Sequence, residues 1–120
     1  MHGSKNFLMV KKPQKIRADL MKGLLDLIVL HFVDEEPMYG YQMIKKIQDK
    51  FGVQLGASTI YPLLNDMEEK GYLESRWDTE SDRPRKIYHL TTEGETLLNY
   101  TEDSLNTIVT EISHPETEEE

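Results

Sequence analysis

Apolar residues recur at spacings of three and four through three successive stretches of this chain, and from Tyr72 onward the period drops to two. One backbone cannot satisfy both periods, so the chain must be helical first and sheet-forming second. The first stretch is ordered from about Ile16. Leu20, Leu24, Leu27, Ile28 and His31 trace a helical stripe, widened by Met21, Leu25 and Phe32. Asp34, Glu35, Glu36 and Pro37 end it, because a residue before proline disfavours helical dihedrals and carboxylates are costly to bury. A second helix is predicted to start near Met38 or Tyr39, with Tyr41, Met43, Ile44 and Ile47 inward, Gln42, Lys45, Lys46 and Lys50 outward, and Gly52 at its end.

Ser58 or Thr59 is suited to cap a third helix, in which Pro62 is tolerable because it falls within or just after the first turn. Ile60, Leu63, Leu64 and Met67 form its apolar face, Ser58, Tyr61, Pro62, Asn65 and Glu69 lie opposite, and Gly71 marks its stop. Tyr72–Trp77 and Lys86–Leu90 then alternate as two half-buried strands around the polar tip Asp78–Pro84, a hairpin too small to stand without the helices. Thr92 and Glu95 have capping-box spacing, which predicts a last helix over residues 93–112 with Leu98, Thr101, Leu105, Ile108 and Ile112 on its apolar side.

Length and charge narrow the function classes. A chain of 120 residues holds one small domain, and its formal net charge of −8 at first opposes an anionic partner. The deficit is local, however. Residues 1–90 carry 14 basic and 13 acidic side chains, and residues 91–120 carry 9 acidic and none basic. The amino-terminal stretch is basic, with Lys5, Lys11, Lys12, Lys15, Arg17 and Lys22 against Asp19. With no cysteine, disulfides, thiolate metal sites and thiol chemistry are excluded. The longest nearly apolar run, Leu27–Val33, falls far short of the roughly 20 residues of a membrane span, so no membrane partner is expected and the cytoplasm is the expected compartment.

Three helices, a hairpin and a trailing helix predict a mainly helical fold with a small β-hairpin: a winged helix-turn-helix with an additional carboxy-terminal dimerisation helix. Residues 1–15 are read as a flexible basic arm, 16–91 as the winged helix, 92–112 as the dimerisation helix and 113–120 as a disordered acidic tail. Double-stranded DNA is the expected partner. The candidate contacts are Tyr39, Gln42, Lys45 and Lys46 on helix two, Ser58, Thr59, Tyr61, Pro62 and Asn65 on helix three, and Arg83, Arg85 and Lys86 beside the wing. Lys11, Lys12, Lys15 and Arg17 would reach DNA from the arm. Short hydroxyls at a helix start can meet phosphate or base edges, and asparagine can pair with adenine.

Plainer readings stand beside these. Ser58 or Thr59 caps the helix, Tyr61 packs against the hairpin, and Asn65 is an exposed residue with no specific partner. The wing cations equally compensate Glu80 and Asp82, and Trp77 either packs or stacks on a flat effector. The trailing helix has too little of its own domain to lie against. Leu20, Leu24, Leu98, Thr101, Leu105, Ile108 and Ile112 are therefore candidates for pairing with a second copy, with packing onto the first helix as the alternative. The dispersed histidines 2, 31, 89 and 114 lack metal-ligand spacing, and Gly52 with Gly56 forms no phosphate loop, so neither enzyme activity nor a cofactor is expected.

Pro37–Tyr41, Ser58–Leu64, Met67 and Glu68 with Gly71–Leu73, and Arg83–Gly94 together resemble the PadR family of winged-helix transcriptional regulators. The similarity extends from about Arg17 to Leu98. It implies a homodimeric, sequence-specific DNA binder, usually a repressor, that docks on a palindromic operator and dimerises through its carboxy-terminal helix. Some members hold small aromatic or multidrug-like effectors between subunits. This chain, with one helix after the wing, resembles the short branch, from which an effector is possible but no identity carries over. A winged-helix protein-interaction module without operator specificity is the rival reading.

Overall fold

The computed structural model describes residues 10–80 and 82–114. In chain order the elements are α1 (Pro13–Glu35), β1 (Met38–Tyr39), α2 (Gly40–Phe51), α3 (Ala57–Glu69), β2 (Leu73–Asp78), β3 (Arg85–Leu90) and α4 (Thr92–Ser113). The fold is mainly helical with a small antiparallel sheet, as the change of period predicts.

The sheet has three strands, in the order β1-β3-β2. Leu73 through Asp78 pair with Leu90 through Arg85, and β1 adds Met38 opposite Tyr88 and Tyr39 opposite Ile87. The two-stranded expectation is thus corrected. Met38 and Tyr39 do not open the second helix but form an edge strand, and two residues are too short to carry a readable period. Pro37 restricts the residue before it and leaves the next two free to extend.

The first helix is longer than expected at both ends. Proline is well placed in a first helical turn, where its missing N–H is not needed, so α1 starts at Pro13 and takes residues 13–15 out of the arm. At the far end only Glu36 departs from helix, with φ −167° and ψ 151°. Residues 1–9 of the expected arm and 115–120 of the expected tail lie outside the described residues.

The buried face of α1 is turned from the stripe read in the sequence. Met21, Leu25, Ile28, Val29, Leu30, Phe32 and Val33 are buried, whereas Leu24 and Leu27 are half-buried and Leu20 is 64% exposed. A helix apolar nearly all round has two faces to cover, and periodicity alone does not say which one meets its own domain. The core sits between α1, α2, α3 and the sheet, around Phe32, Met43, Ile47, Ile60, Leu64, Met67 and Leu73.

Two helix ends differ from expectation. Gly56 stands at the N-cap of α3 with no side-chain bond, so neither Ser58 nor Thr59 caps it; they are its second and third residues. Thr91, not Thr92, caps α4, its Oγ1 accepting from the Gly94 amide at 2.9 Å. The glycine stops are as read: Gly52 follows α2, and Gly71, with φ +84°, lets α3 close with the Tyr72 amide on the Met67 carbonyl at 2.9 Å.

Candidate nucleic-acid interface

The residues expected to meet DNA lie on β1, α2, α3 and the β2–β3 wing, with four more in or just before α1, and the fold brings elements far apart in sequence together. A cleft of about 330 Å³ opens between α3 and the wing, into which Tyr39, Tyr61, Asn65, Arg85 and Lys86 of the expected set converge. Ser58, Tyr61, Pro62 and Asn65 are exposed on α3, with Thr59 half-buried beside them. Pro62 is the sixth residue of α3 and has no amide to give the Ser58 carbonyl four positions back.

Tyr61 is held by what lies under it. Gly40 is buried, and a methyl group there would stand 2.5 Å from Cε1 of Tyr61, so the ring lies flush on the start of α2. The neighbouring Tyr39 is half-buried, its hydroxyl donating to Oδ2 of Asp78 across the sheet. That bond pushes the Tyr39 phenol up from its ordinary range, assisted by burial, and holds the Asp78 carboxyl down, assisted by the Glu80 amide.

Tyr41, which lines this cleft, and Asp78, which bonds to its Tyr39, escaped the sequence reading. Tyr41, assigned inward by spacing, is 45% exposed and stacks on Tyr39 with ring centres 5.7 Å apart. Two positions along an α-helix are about 200° apart, so Tyr41 lies across α2 from Met43, which is fully buried. Asp78, the last residue of β2, had only its position opposite Arg85 as a signal. Trp77 is 63% exposed at the mouth of the cleft, with Lys86 Nζ 5.6 Å from its ring.

Several expected DNA contacts are engaged within the protein. Lys46 reaches Glu35 at 3.2 Å and lies 4.7 Å from the Phe32 ring, holding the Glu35 carboxyl below its usual range. Gln42 folds back to accept from the Tyr39 amide at 2.9 Å. Lys86 lies 3.9 Å from Glu68, which also accepts from the Ser75 hydroxyl at 2.7 Å. Lys15 pairs with Asp19 at 3.0 Å, and Arg17 donates to the Phe51 carbonyl at 3.4 Å, both from within α1. Lys11, Lys12, Lys45 and Arg83 are exposed.

The expected pairing residues divide. Leu98 is 3% exposed in the chain's own core, so it faces no partner. The groove between α1 and α4, about 550 Å³, is lined by Leu27, Ile28, Phe32, Phe51 and Leu105. Thr101 is half-buried, and beyond it Ile108, Val109 and Ile112 are 55%, 50% and 75% exposed. The packing of α4 on α1 is therefore real along the start of α4 and lapses along its end. Among the described residues no helix is long and apolar enough to cross a membrane, and no group of three acidic or histidine residues could hold a metal.

Comparison with known proteins agrees with this geometry. The model of the transcriptional regulator PadR-like family matches residues 29–100. An uncharacterised protein of Lysinibacillus sphaericus is 30% identical over 87 residues, covering 70% of this chain and 80% of its own length. The transcriptional activator GvpE of Haloferax mediterranei is 28% identical over 92 residues, which span 77% of this chain but only 45% of that protein. Among solved structures, a PadR family transcriptional regulator from Eggerthella lenta is 28% identical with a TM-score of 0.71, covering 93% of this chain and 90% of that one.

Proposed function

We propose, because the chain belongs to the PadR-like family of transcriptional regulators, that it regulates transcription as a homodimer binding double-stranded DNA. In this reading α3 enters the major groove, and the β2–β3 tip follows the adjacent backbone. The observation that carries it is the exposed row Ser58, Tyr61 and Asn65 on α3 beside a wing whose tip holds exposed Arg83. The short hydroxyl and the amide suit base edges or phosphate, and the guanidinium suits phosphate. In the same reading the exposed Lys45 of α2 and Lys11 and Lys12 ahead of α1 supply further phosphate contacts.

The second copy answers the apolar surface left over. Leu20, Ile108, Val109 and Ile112 remain exposed along α1 and the end of α4, and a symmetric pairing would bury them in both protomers at once. A two-fold dimer presents two α3 helices, so its operator is palindromic, with half-sites about one helical turn apart or a multiple of it. Repression is the expected direction of control.

Selection of bound fragments from the source genome tests the reading. A recurring palindrome whose affinity falls steeply with salt supports it, whereas no fragment bound above background at low salt rejects it. A reporter driven by the recovered fragment settles the direction, since one relative is named an activator. Asn65→Ala is expected to alter the preferred sequence more than the overall affinity; equal weakening on every sequence would reassign Asn65 to phosphate positioning.

A further inference from the structure

We infer that Arg85 is a positioning residue of the DNA-binding face, a clamp that sets the wing against the start of α2, and not one of its phosphate contacts. The DNA arm of this inference rests on the function proposed above; the clamp itself does not.

The guanidinium of Arg85 lies 4.7 Å from the centre of the Tyr39 ring and 5.1 Å from that of Tyr41. Those two rings are 18° from parallel with centres 5.7 Å apart, and the guanidinium lies within cation–π range of both. A guanidinium that grips phosphate bidentately does so with a fork of N–H groups open to the ligand. Here Nε is buried and has no hydrogen-bond partner among the described residues, so that edge of the fork is closed to an incoming anion. Burial of Nε and the two ring contacts commit this edge of the cation to the protein.

The surrounding bonds give the stack a mechanical purpose. Arg85 and Asp78 are cross-strand partners at the end of the β2–β3 ladder next to the wing tip. Asp78 accepts from the Tyr39 hydroxyl, and Tyr39 itself pairs with Ile87 on β3. Both strands of the wing are therefore tied to Tyr39, one by a hydrogen bond and the other by the stack. Gly40 follows directly and carries the Tyr61 ring of α3. The clamp thus joins the wing to the DNA-facing helix through three consecutive residues, 39 to 41, and fixes the distance between the two surfaces that must fit the DNA together.

The test uses the full chain and a fragment recovered by genomic selection, with Arg85→Gln, Arg85→Lys and Tyr39→Phe. Affinity is measured across a salt series, and amide hydrogen exchange of residues 76–78 and 85–87 is followed in the DNA-free protein. Arg85→Gln is expected to weaken binding roughly tenfold with an unchanged slope of log affinity against log salt. Arg85→Lys should be equally weak, because an ammonium is a point charge that cannot span two rings. All three variants should speed exchange in the wing.

A slope reduced by about one in Arg85→Gln, with recovery in Arg85→Lys, would make Arg85 a direct phosphate contact and overturn the inference. Unchanged exchange in all three variants would overturn it as well. Should the native chain select no fragment, the DNA reading fails by itself, and exchange in the free protein still decides whether the clamp exists.

Discussion

Gly40 at the start of α2 and Tyr61 on α3 are in contact with no room for a side chain between them: an added Cβ would lie 2.5 Å from Cε1 and 2.8 Å from Cζ of the ring. Substituting Gly40→Ala must therefore swing Tyr61 off its seat. Because the ring is 38% exposed it can move outward, so the cost to stability is expected to be about 1–3 kcal/mol, at the level of other overpacking changes. The loss of DNA affinity should exceed that of an exposed substitution such as Gln54→Ala. Urea denaturation paired with binding to a selected fragment checks both.

Thr91 joins the end of the sheet to α4 and to the turn after α3. Its hydroxyl oxygen accepts from the Gly94 amide and lies 2.6 Å from the Gly71 carbonyl, to which it donates. Thr91→Ala removes the cap and leaves that carbonyl short of a donor, which is expected to lower stability by about 1–2 kcal/mol. Thr92→Ala, one residue on, should change the urea midpoint little.

Leu98 and Ile108 are separated by ten positions on α4 and should respond oppositely. Leu98→Ala opens a cavity in the core and is expected to cost about 2–5 kcal/mol. Ile108→Glu, at an exposed position, should leave the fold intact while shifting the mass measured by light scattering toward the monomer. A dimer unchanged by Ile108→Glu would remove the end of α4 from the interface.

The Tyr39–Asp78 bond sets a pH window for wing order. The Asp78 carboxyl is held below its ordinary 3.8, chiefly by the Tyr39 hydroxyl, so its contribution is present above that value and is lost as pH falls through the lowered one. The Tyr39 phenol is raised above its ordinary 10.0, chiefly by Asp78, so its contribution is present below 10.0 and is lost as pH rises through the raised value. Trp77 fluorescence should be flat between these limits and change outside them; in Tyr39→Phe the alkaline change should disappear.

Reading the sequence recovered the helix–hairpin–helix order because the change of period at Tyr72 is a local signal. It missed β1 because two residues have no period, and it turned Tyr41 inward although that position stands across the helix from the buried Met43. The convergence of Tyr39, Tyr61, Asn65, Arg85 and Lys86 on one cleft was legible as residue types beside a wing and a helix. The internal commitments of Lys46, Arg85 and Lys86 were not, since each partner lies on another element and charge alone does not say whether a cation faces solvent. The second face of α1 was hidden for a related reason: a helix apolar on two sides gives one pattern for two destinations.

Met38 meets Tyr88 across about 50 intervening positions, and this pairing closes the largest loop in the sheet. A chain made from its amino terminus can assemble α1, α2 and α3 while the residue that must hold Met38 has yet to be added. Loop closure of this length is costly before its contacts repay it, so the sheet is expected to be completed late and as a unit. The surface proposed to bind DNA would then exist only once the sheet is closed, and a nascent or truncated chain ending before Leu90 would carry α3 without that geometry.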